Sequence, residues 1–355
     1  MEVKKNISLF HPYLENRIPD IASGLYPKQH LWGIDALKDS KKFNSQFIYT
    51  EKFKINSLVE RLINKGILRG SMGVKIELSM LIASSKCNFI YSVCGPPTVA
   101  RFVKNKLISW VFRPPLNSDS QWSNPYNLKN LLAHKGFICL TKNAEQYFSQ
   151  FAPAKFIPWC VDLDLFDGIT LSNHSTKPFF LASGKTGRDY KTLVKASHHT
   201  KVEIRIIGPS SERPKDLPSN VNWINTSSNP PDQAIDYPTL REWYAQCIGV
   251  CIPLSGDADD TCGYTNMLEA MAMRKPVLMT RSGCLHINPE KDRFGIQIKP
   301  KDALGWAHAM NYLHKDHEKA LEMGNRGREI VEQDFTIKRF NQDVLGFIET
   351  ILKKS

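Results

Sequence analysis

The chain has 355 residues, of which 42% are hydrophobic and 23% charged, and its formal net charge is +12. This composition excludes wholesale disorder, and the length predicts two domains. No run of about eighteen apolar residues occurs, so we expect no membrane-spanning helix. Residues 1–168 hold 22 basic and 13 acidic residues, a net +9, whereas the remainder has a net +3. This basic N-terminal half favours an acidic partner.

The N-terminal half alternates between short apolar runs and helical patterns. Residues 1–10 lack the apolar centre of a signal peptide and predict a first strand. Further strand-like runs follow at 47–49, 89–93, 108–112 and 137–140. Alternation of this kind predicts an α/β domain in which helices cover a parallel sheet.

One helical pattern in this half, residues 55–69, is amphipathic. Its apolar face carries Ile55, Leu58, Val59, Leu62, Ile63 and Ile67. Arg61, Lys65 and Arg69 flank that face, and Lys104 and Lys106 follow later in the chain. The pattern fits a helix that lies on an anionic membrane; the alternative, which the pattern favours, is a helix that packs on its own sheet with a solvated basic side.

An irregular stretch at 158–178, punctuated by Pro158, Gly168 and Pro178, predicts the linker between two domains. Alternation then resumes. Strands are predicted at 179–182, 202–207, 221–224, 248–253 and 276–280, and helices at 189–196, 240–247, 267–273 and 303–353, the last with breaks near Lys315 and Asp334. Two parallel sheets in series predict a ligand cleft between them, at the carboxyl ends of the strands.

Eight cysteines are present, without a Cys-x-x-Cys pair. Several lie inside apolar runs, for example Cys139, so we expect buried free thiols in a reducing compartment and no zinc site. The protein is therefore expected to be cytoplasmic.

Residues 259–277 are the most informative segment. A strand ends near Pro253, a polar loop with Gly263 follows, and a helix is predicted to begin near Thr265 or Asn266. The free N–H groups of such a helix start can bind a diphosphate, while Glu269 can reach a ribose diol. The alternative is a capped helix, with Asn266 as the cap and Glu269 as its partner three residues on.

This segment resembles the donor-binding signature of retaining GT-B glycosyltransferases, especially glycosyltransferase family 4. The matching residues are Leu268–Ala272 and Lys275–Val277. The resemblance implies that Glu269 binds the donor ribose and that Gly263, Tyr264, Thr265 and Asn266 adjoin the donor. The family's first glutamate corresponds to Thr261, and Arg274 replaces a glycine. Asp259, Asp260 or the backbone around Gly263 are the open alternatives for the missing acid.

The resemblance extends over roughly residues 158–352. Residues 158–166 resemble the family's linker, and residues 183–193 resemble the segment that opens its C-terminal domain. That segment supplies two cations to the diphosphate, which implies this role for Lys185 and Arg188; the alternative is two solvated cations. Ser183, Gly184 and Asn225 are expected near the donor.

The resemblance also implies a fold and a domain plan. We expect a GT-B fold, with two Rossmann-like parallel-sheet domains that face a central cleft. Residues 1–157 form the acceptor domain and residues 158–335 the nucleotide-sugar domain. Residues 336–355 are expected to form a helix that crosses back to the first domain.

A retaining mechanism lets the acceptor attack on the face of the leaving phosphate, so no catalytic triad is required. The family often places a histidine near the donor sugar, but Arg113 and Pro114 occupy that position here. His30 is the first alternative and His134 the second, although a lone histidine is more often structural. Asp257 and Asp259 could bind a metal, yet their context resembles metal-free enzymes, so no metal or cofactor is expected.

The predicted function is transfer of a sugar, with retention, from a nucleotide sugar to a glycan, lipid or small-molecule acceptor. Peripheral contact with an anionic membrane is a further expectation. The alternatives are an epimerase or phosphorylase of the same shape, and a non-catalytic nucleic-acid-binding protein. No zinc knuckle or RNA-recognition signature supports the last, so nucleic acid is not an expected partner.

Overall fold

The computed structural model describes residues 4–12, 14, 17–50, 53–68, 72–103, 105–112, 127–167, 177–226, 235–256, 261–280 and 285–353. The chain divides into two compact units. The N-terminal unit comprises Met1–Asn16, His30–Pro158 and Lys338–Ser355, and the C-terminal unit comprises Arg17–Gln29 and Trp159–Ile337.

Each unit contains one sheet with helices around it. The strands are β1 (Lys5–Phe10), β2 (Phe43–Phe47), β3 (Phe89–Ser92), β4 (Leu107–Val111), β5 (Gly136–Cys139), β6 (Ala154–Phe156), β7 (Phe179–Ser183), β8 (Glu203–Pro209), β9 (Val221–Thr226), β10 (Gly249–Ile252), β11 (Val277–Thr280) and β12 (Gly295–Ile298). The α-helices are α1 (Ile18–Ala22), α2 (Ile34–Asp39), α3 (Ser57–Gly66), α4 (Val74–Ser84), α5 (Leu128–Leu131), α6 (Lys142–Phe148), α7 (Tyr190–Ser197), α8 (Tyr237–Gln246), α9 (Tyr264–Ala272), α10 (Ala303–Lys315), α11 (His317–Asp334) and α12 (Ile337–Lys353).

Both sheets have six parallel strands, as the alternating pattern predicts. The order is β2-β1-β3-β4-β5-β6 in the N-terminal unit and β12-β11-β10-β7-β8-β9 in the C-terminal unit. The central strands β3, β4, β5, β7, β10 and β11 are buried along their whole length. Continuous apolar runs are what a parallel strand covered on both faces requires.

Most predicted elements are present with shifted ends. The strand predicted at 47–49 lies earlier, as β2, and the sequence patterns did not reveal the short edge strands β6 and β12. The helix predicted from Thr265 or Asn266 begins at Tyr264 after Gly263, so the capping alternative for Asn266 is wrong. Breaks in the C-terminal helices fall near Lys315 and Asp334, as predicted.

The segment Arg17–Gln29 is part of the C-terminal unit, although the sequence suggested an uninterrupted first domain at 1–157. Hydrogen bonds explain the difference. The backbone N–H of Lys28 donates to Asp162 at 2.8 Å, and the backbone N–H of Asp162 donates to the Gln29 side chain at 2.6 Å. The ring of Tyr26 packs edge-on against Tyr237, with centroids 4.9 Å apart.

Helix α12 belongs to the N-terminal unit, although it follows the C-terminal one in sequence. Phe340 stacks on Trp110 with ring centroids 5.5 Å apart, and Asn341 donates to Asp35 at 2.7 Å. A Cβ on Gly33 would lie 3.0 Å from Val344, so the small residue permits close packing of this helix.

Helix α3 does not pack on its sheet. None of its residues is buried, and Leu58 and Leu62 are 69% and 73% exposed. The expectation of a helix whose apolar face packs on its own sheet is therefore wrong for these two side chains. Arg61 and Lys65 are exposed beside them, whereas Arg69 and Lys104 lie outside the described residues.

The described cysteines are free, and five of the seven are buried: Cys87, Cys139, Cys160, Cys247 and Cys251. Burial raises the pKa of the Cys247 thiol to about 11, as expected for an inert core thiol. In the part of the chain that the structure describes, no helix combines the length and the apolar character needed to cross a membrane.

Candidate functional site

The strand order of the C-terminal unit marks where a ligand can bind. From β7 the chain proceeds to β8 and β9 on one side, and from β10 to β11 and β12 on the other. The order therefore reverses between β7 and β10, and ligands of open parallel sheets bind outside the strand carboxyl ends at such a point. Ser183 ends β7, and the loop after β10 leads into α9.

Gly263 shapes the entry into α9. It has a φ of +85°, and a Cβ at this position would lie 2.5 Å from Ile252 on β10. A side chain is therefore excluded both by the left-handed backbone and by the strand. Gly263 has no side chain that could cap α9, so the backbone N–H groups at this helix start, together with the positive end of the helix dipole, can bind an anion.

Gly184, at the end of β7, lies against the guanidinium of Arg188. Its φ is +141°, and a Cβ would be 2.5 Å from Arg188 Nη2. The guanidinium is held on one side by Nη1, which donates to the carbonyl of Thr186 at 2.8 Å. Arg188 is only 9% exposed, and its Nε has no hydrogen-bond partner among the described residues. The guanidinium is thus fixed in position, and its Nε–H can donate a hydrogen bond to a ligand.

Asn266, in the first turn of α9, hydrogen-bonds to Arg188, to Ser183 and to a tyrosine of α8, Tyr244. Its Oδ1 accepts from Arg188 Nη2 at 2.8 Å, and its Nδ2 donates to Ser183 Oγ at 2.9 Å and to the Tyr244 hydroxyl at 3.3 Å. Four predicted donor residues, Ser183, Gly184, Arg188 and Asn266, therefore lie together at the switch point.

Glu269 lies in the second turn of α9 and is 1% exposed. Its Oε1 accepts from Gln29 Nε2 at 3.2 Å and its Oε2 from the Tyr244 hydroxyl at 3.1 Å. Burial raises the pKa of this carboxyl to about 8, while the hydrogen bonds from Tyr244 and Gln29 oppose the shift. The carboxylate thus has both oxygens held within the protein, and its predicted contact with the ribose remains a prediction.

The other predicted donor residues are less closely tied to this group. Lys185 and Thr265 are half-buried near it in sequence, and Asn225 is exposed at the carboxyl end of β9, two strands from β7. Tyr264 is 3% exposed and packs its ring edge-on near Phe335. Its ring therefore belongs to the core, and its backbone forms the first residue of the helix.

Both candidate histidines lie in the N-terminal unit. The backbone of His30 hydrogen-bonds to the His11 side chain, whose pKa burial lowers to about 4. His134 is 1% exposed, stacks on Phe137 at 4.7 Å and hydrogen-bonds to the Asn130 carbonyl at 2.8 Å. Burial lowers the His134 pKa to about 4, as for a neutral core histidine. The catalytic role of His30 remains a prediction.

Several residues considered for the missing acid or for a metal lie outside the described part of the chain. They are Asp257, Asp259 and Asp260, together with Arg113 and Pro114. Among the described residues no group of three or more histidine, cysteine, aspartate or glutamate side chains could hold a metal ion.

Sequence patterns did not reveal Tyr244 and Gln29 as partners of Glu269. Gln29 is separated from Glu269 by 240 positions and Tyr244 by 25, and neither belongs to a local motif. The one available signal is the early loop at residues 26–33, which also contains His30, the predicted contact to the donor sugar.

A buried, fixed guanidinium beside a helix start has the features of a phosphate-binding site. Arg188 supplies charge and an Nε–H that has no partner among the described residues, and the first turn of α9 supplies backbone donors. Such an arrangement can stabilise negative charge that develops on a leaving diphosphate.

One family model matches part of the chain. Residues 188–316, less than half of the chain, match the family model described as glycosyl transferases group 1. Comparison with curated protein sequences gives no match.

Solved structures resemble the whole chain. A glycosyltransferase from Rickettsia africae ESF-5 is 17% identical, with a TM-score of 0.67 over 99% of this chain and 100% of that one. Sucrose-phosphate synthase from Thermosynechococcus elongatus is 14% identical, with a TM-score of 0.66 over 99% and 100%. HepE from Anabaena, solved with UDP-glucose, is 14% identical, with a TM-score of 0.61 over 98% and 100%.

The two six-stranded parallel sheets and these likenesses identify the fold as GT-B. Within this GT-B fold, the segment that begins at Arg188 is similar to the glycosyl transferases group 1.

Proposed function

We propose that this protein transfers a sugar from a nucleotide-sugar donor, bound by the C-terminal unit, to an acceptor recognised by the N-terminal unit. The observation that carries the proposal is the Arg188–Asn266–Ser183 group at the switch point, next to the start of α9. Anabaena HepE, which shares the fold, was solved with UDP-glucose, and this supports a nucleoside diphosphate sugar as the donor class.

In this proposal Arg188 and Lys185 neutralise the diphosphate and stabilise its charge as the glycosidic bond breaks. Glu269 binds the ribose. The acceptor hydroxyl attacks on the face of the leaving phosphate, so that the configuration is retained and a phosphate oxygen takes the proton. His30 is the proposed contact to the donor sugar. No metal is needed, because two cations and a helix start already face the charge.

The test is UDP binding and UDP-sugar hydrolysis by the variant Arg188→Ala, measured by calorimetry and by product release. Loss of a hydrogen bond to a charged group, about 1.5–3 kcal/mol, corresponds to roughly tenfold or more weaker binding. Arg326→Ala is the matched control, since Arg326 is a partly exposed arginine of α11 in the same unit and forms an ion pair with Glu329 at 2.9 Å. Equal UDP affinity of wild type and Arg188→Ala would refute the donor site.

The same assay tests metal independence. EDTA should leave the rate of sugar transfer unchanged, because the proposed charge neutralisation comes from side chains and the helix. Loss of activity in EDTA, restored by magnesium or manganese, would instead assign a role to Asp257 and Asp259.

We further propose that the N-terminal unit contacts an anionic membrane, where a lipid-linked acceptor would be found. Helices α3 and α4 contact each other, and the turn Thr98–Phe102 contacts both α4 and α5. Exposed large apolar side chains occur on every one of these elements or directly beside them: Leu58, Leu62, Ile67, Leu81, Ile82, Phe102, Leu128 and Leu132.

We call this set the apolar surface of the N-terminal unit. Large apolar patches are unusual on a surface that faces only water, and these exposed side chains lie on elements that contact one another in series. Exposed basic residues accompany them, including Arg61 and Lys65 on α3 and Lys129 on α5. Apolar side chains with adjacent cations match the chemistry of an anionic lipid surface, to which each basic residue adds about 1 kcal/mol of attraction.

A further inference from the structure

Tyr244 of α8 lies between Glu269, the proposed contact to the ribose, and Asn266, which contacts the proposed diphosphate ligand Arg188. Its hydroxyl donates to Glu269 Oε2 at 3.1 Å and accepts from Asn266 Nδ2 at 3.3 Å. The side chain is fully buried, and its ring meets that of Phe166 edge-on with centroids 6.2 Å apart. The hydroxyl also hydrogen-bonds to the Ser183 side chain, so its location is fixed by Glu269, Asn266 and Ser183 together.

The hydrogen bonds of Asn266 fix the orientation of its amide. The Nδ2 group has two hydrogens, and Ser183 Oγ and the Tyr244 hydroxyl accept them. Because both hydrogens point toward these acceptors, Oδ1 points the other way, where it accepts from Arg188 Nη2 at 2.8 Å. Tyr244 thus helps to determine where the guanidinium of Arg188 is held.

The direction of the two hydrogen bonds that Tyr244 makes with Asn266 and Glu269, here called the relay, also follows from its chemistry. Burial, followed by the nearby Glu269 charge, raises the pKa of Tyr244 well above its usual range, so the group remains a neutral hydroxyl. A hydroxyl has one hydrogen to donate, and the ionised form of Glu269 receives it on Oε2. The chain of donors accordingly runs from Asn266 through Tyr244 to Glu269.

We propose that Tyr244 is a positioning residue that couples recognition of the donor ribose by Glu269 to recognition of the diphosphate by Arg188. The inference rests on the proposed function, since it takes those two contacts as given. Its consequence is that the two halves of the donor bind cooperatively: a diphosphate that orders Arg188 and Asn266 also orders Tyr244, and through it the carboxylate of Glu269.

The competing explanation is that Tyr244 only fills the core. Tyr244→Phe separates the two roles, because it keeps the ring and its contact with Phe166 and removes only the hydroxyl. If Tyr244 positions the site, the variant should bind UDP about tenfold more weakly and raise the donor KM, with the acceptor KM unchanged. If it only packs, UDP affinity should stay within about twofold.

The coupling itself is measured with a double-mutant cycle on UDP affinity. Glu269→Gln and Arg188→Lys should be non-additive in the wild-type background, because one relay joins them, and additive in the Tyr244→Phe background. Additivity in both backgrounds, or equal non-additivity in both, would overturn the inference.

Tyr91→Phe is the matched control. Tyr91 is also a fully buried tyrosine, whose hydroxyl donates to the Trp32 carbonyl and accepts from Trp110 Nε1, but it belongs to the N-terminal unit. Its loss should lower the melting temperature and leave UDP affinity unchanged. If the wild type itself fails to bind UDP, GDP and ADP, the donor site is refuted and the coupling falls with it. Normal wild-type binding with unaffected Tyr244→Phe refutes the coupling alone.

Discussion

Glu269 shows how one buried side chain imposes a pH dependence on the whole protein. Its pKa is about 8 in the folded chain, against a usual 4.5, because burial disfavours the charged form. Between these values the folded state holds a proton that the unfolded state has released, so the free energy of unfolding falls as the pH rises from about 4.5 to about 8.

We therefore expect Glu269→Gln to be more stable than wild type at pH 9 and to lose most of that advantage at pH 5. Each unit of pKa difference corresponds to about 1.4 kcal/mol, so the effect should reach a few kcal/mol. Urea denaturation at pH 5, 7 and 9 measures it, with the exposed Glu318→Gln as control. A constant difference between variant and wild type across this range would contradict the buried, hydrogen-bonded carboxyl.

For single residues, the sequence indicated which positions belong to the candidate site far better than which side chains contact one another there. Gly263, Asn266 and Glu269 follow one another within seven residues, so a local motif sufficed to single them out. Gln29 and Tyr244 contact Glu269 only because the chain folds back, and no local spacing encodes that contact.

Helix α3 shows what an element's pattern leaves open. An amphipathic sequence predicts a helix with an apolar side, and α3 is present as predicted. The same pattern fits burial against a sheet and exposure to a membrane, because both environments favour apolar contact. The contacts that α3 makes with the rest of the protein decide between burial and exposure. Helix α3 meets α4 through polar contacts, such as Lys75 with Glu60 at 2.9 Å and Val74 with Asn64 at 2.8 Å.

The membrane proposal predicts that the protein sediments with vesicles that contain phosphatidylserine at low salt, and not with neutral ones. Leu62→Glu should abolish this, because it places a charge on the apolar surface, and Arg61→Glu with Lys65→Glu should weaken it at least about tenfold. Leu321→Glu is the control, since Leu321 is 60% exposed on α11 of the other unit. Equal sedimentation of Leu62→Glu and wild type would rule out this surface, and a soluble acidic acceptor would then explain the basic half better.

For the molecule as a whole, the pattern of elements predicted two parallel sheets, because strand and helix signals alternate along the entire chain. It could not show that the chain passes between the units four times. The crossings depend on side chains far apart in sequence, such as Asp162 with Gln29 and Phe340 with Trp110.

These crossings predict that a residue at the end of the chain stabilises the N-terminal unit. Phe340 of α12 is 1% exposed and stacks on Trp110, so Phe340→Ala should destabilise that unit by about 3–5 kcal/mol. Because UDP is proposed to bind the C-terminal unit, its affinity should change less than about twofold. Calorimetric melting with and without UDP measures both quantities, and the exposed Leu321→Ala serves as control. Loss of UDP affinity equal to that of Arg188→Ala would mean that α12 acts on the donor site, contrary to its place in the N-terminal unit.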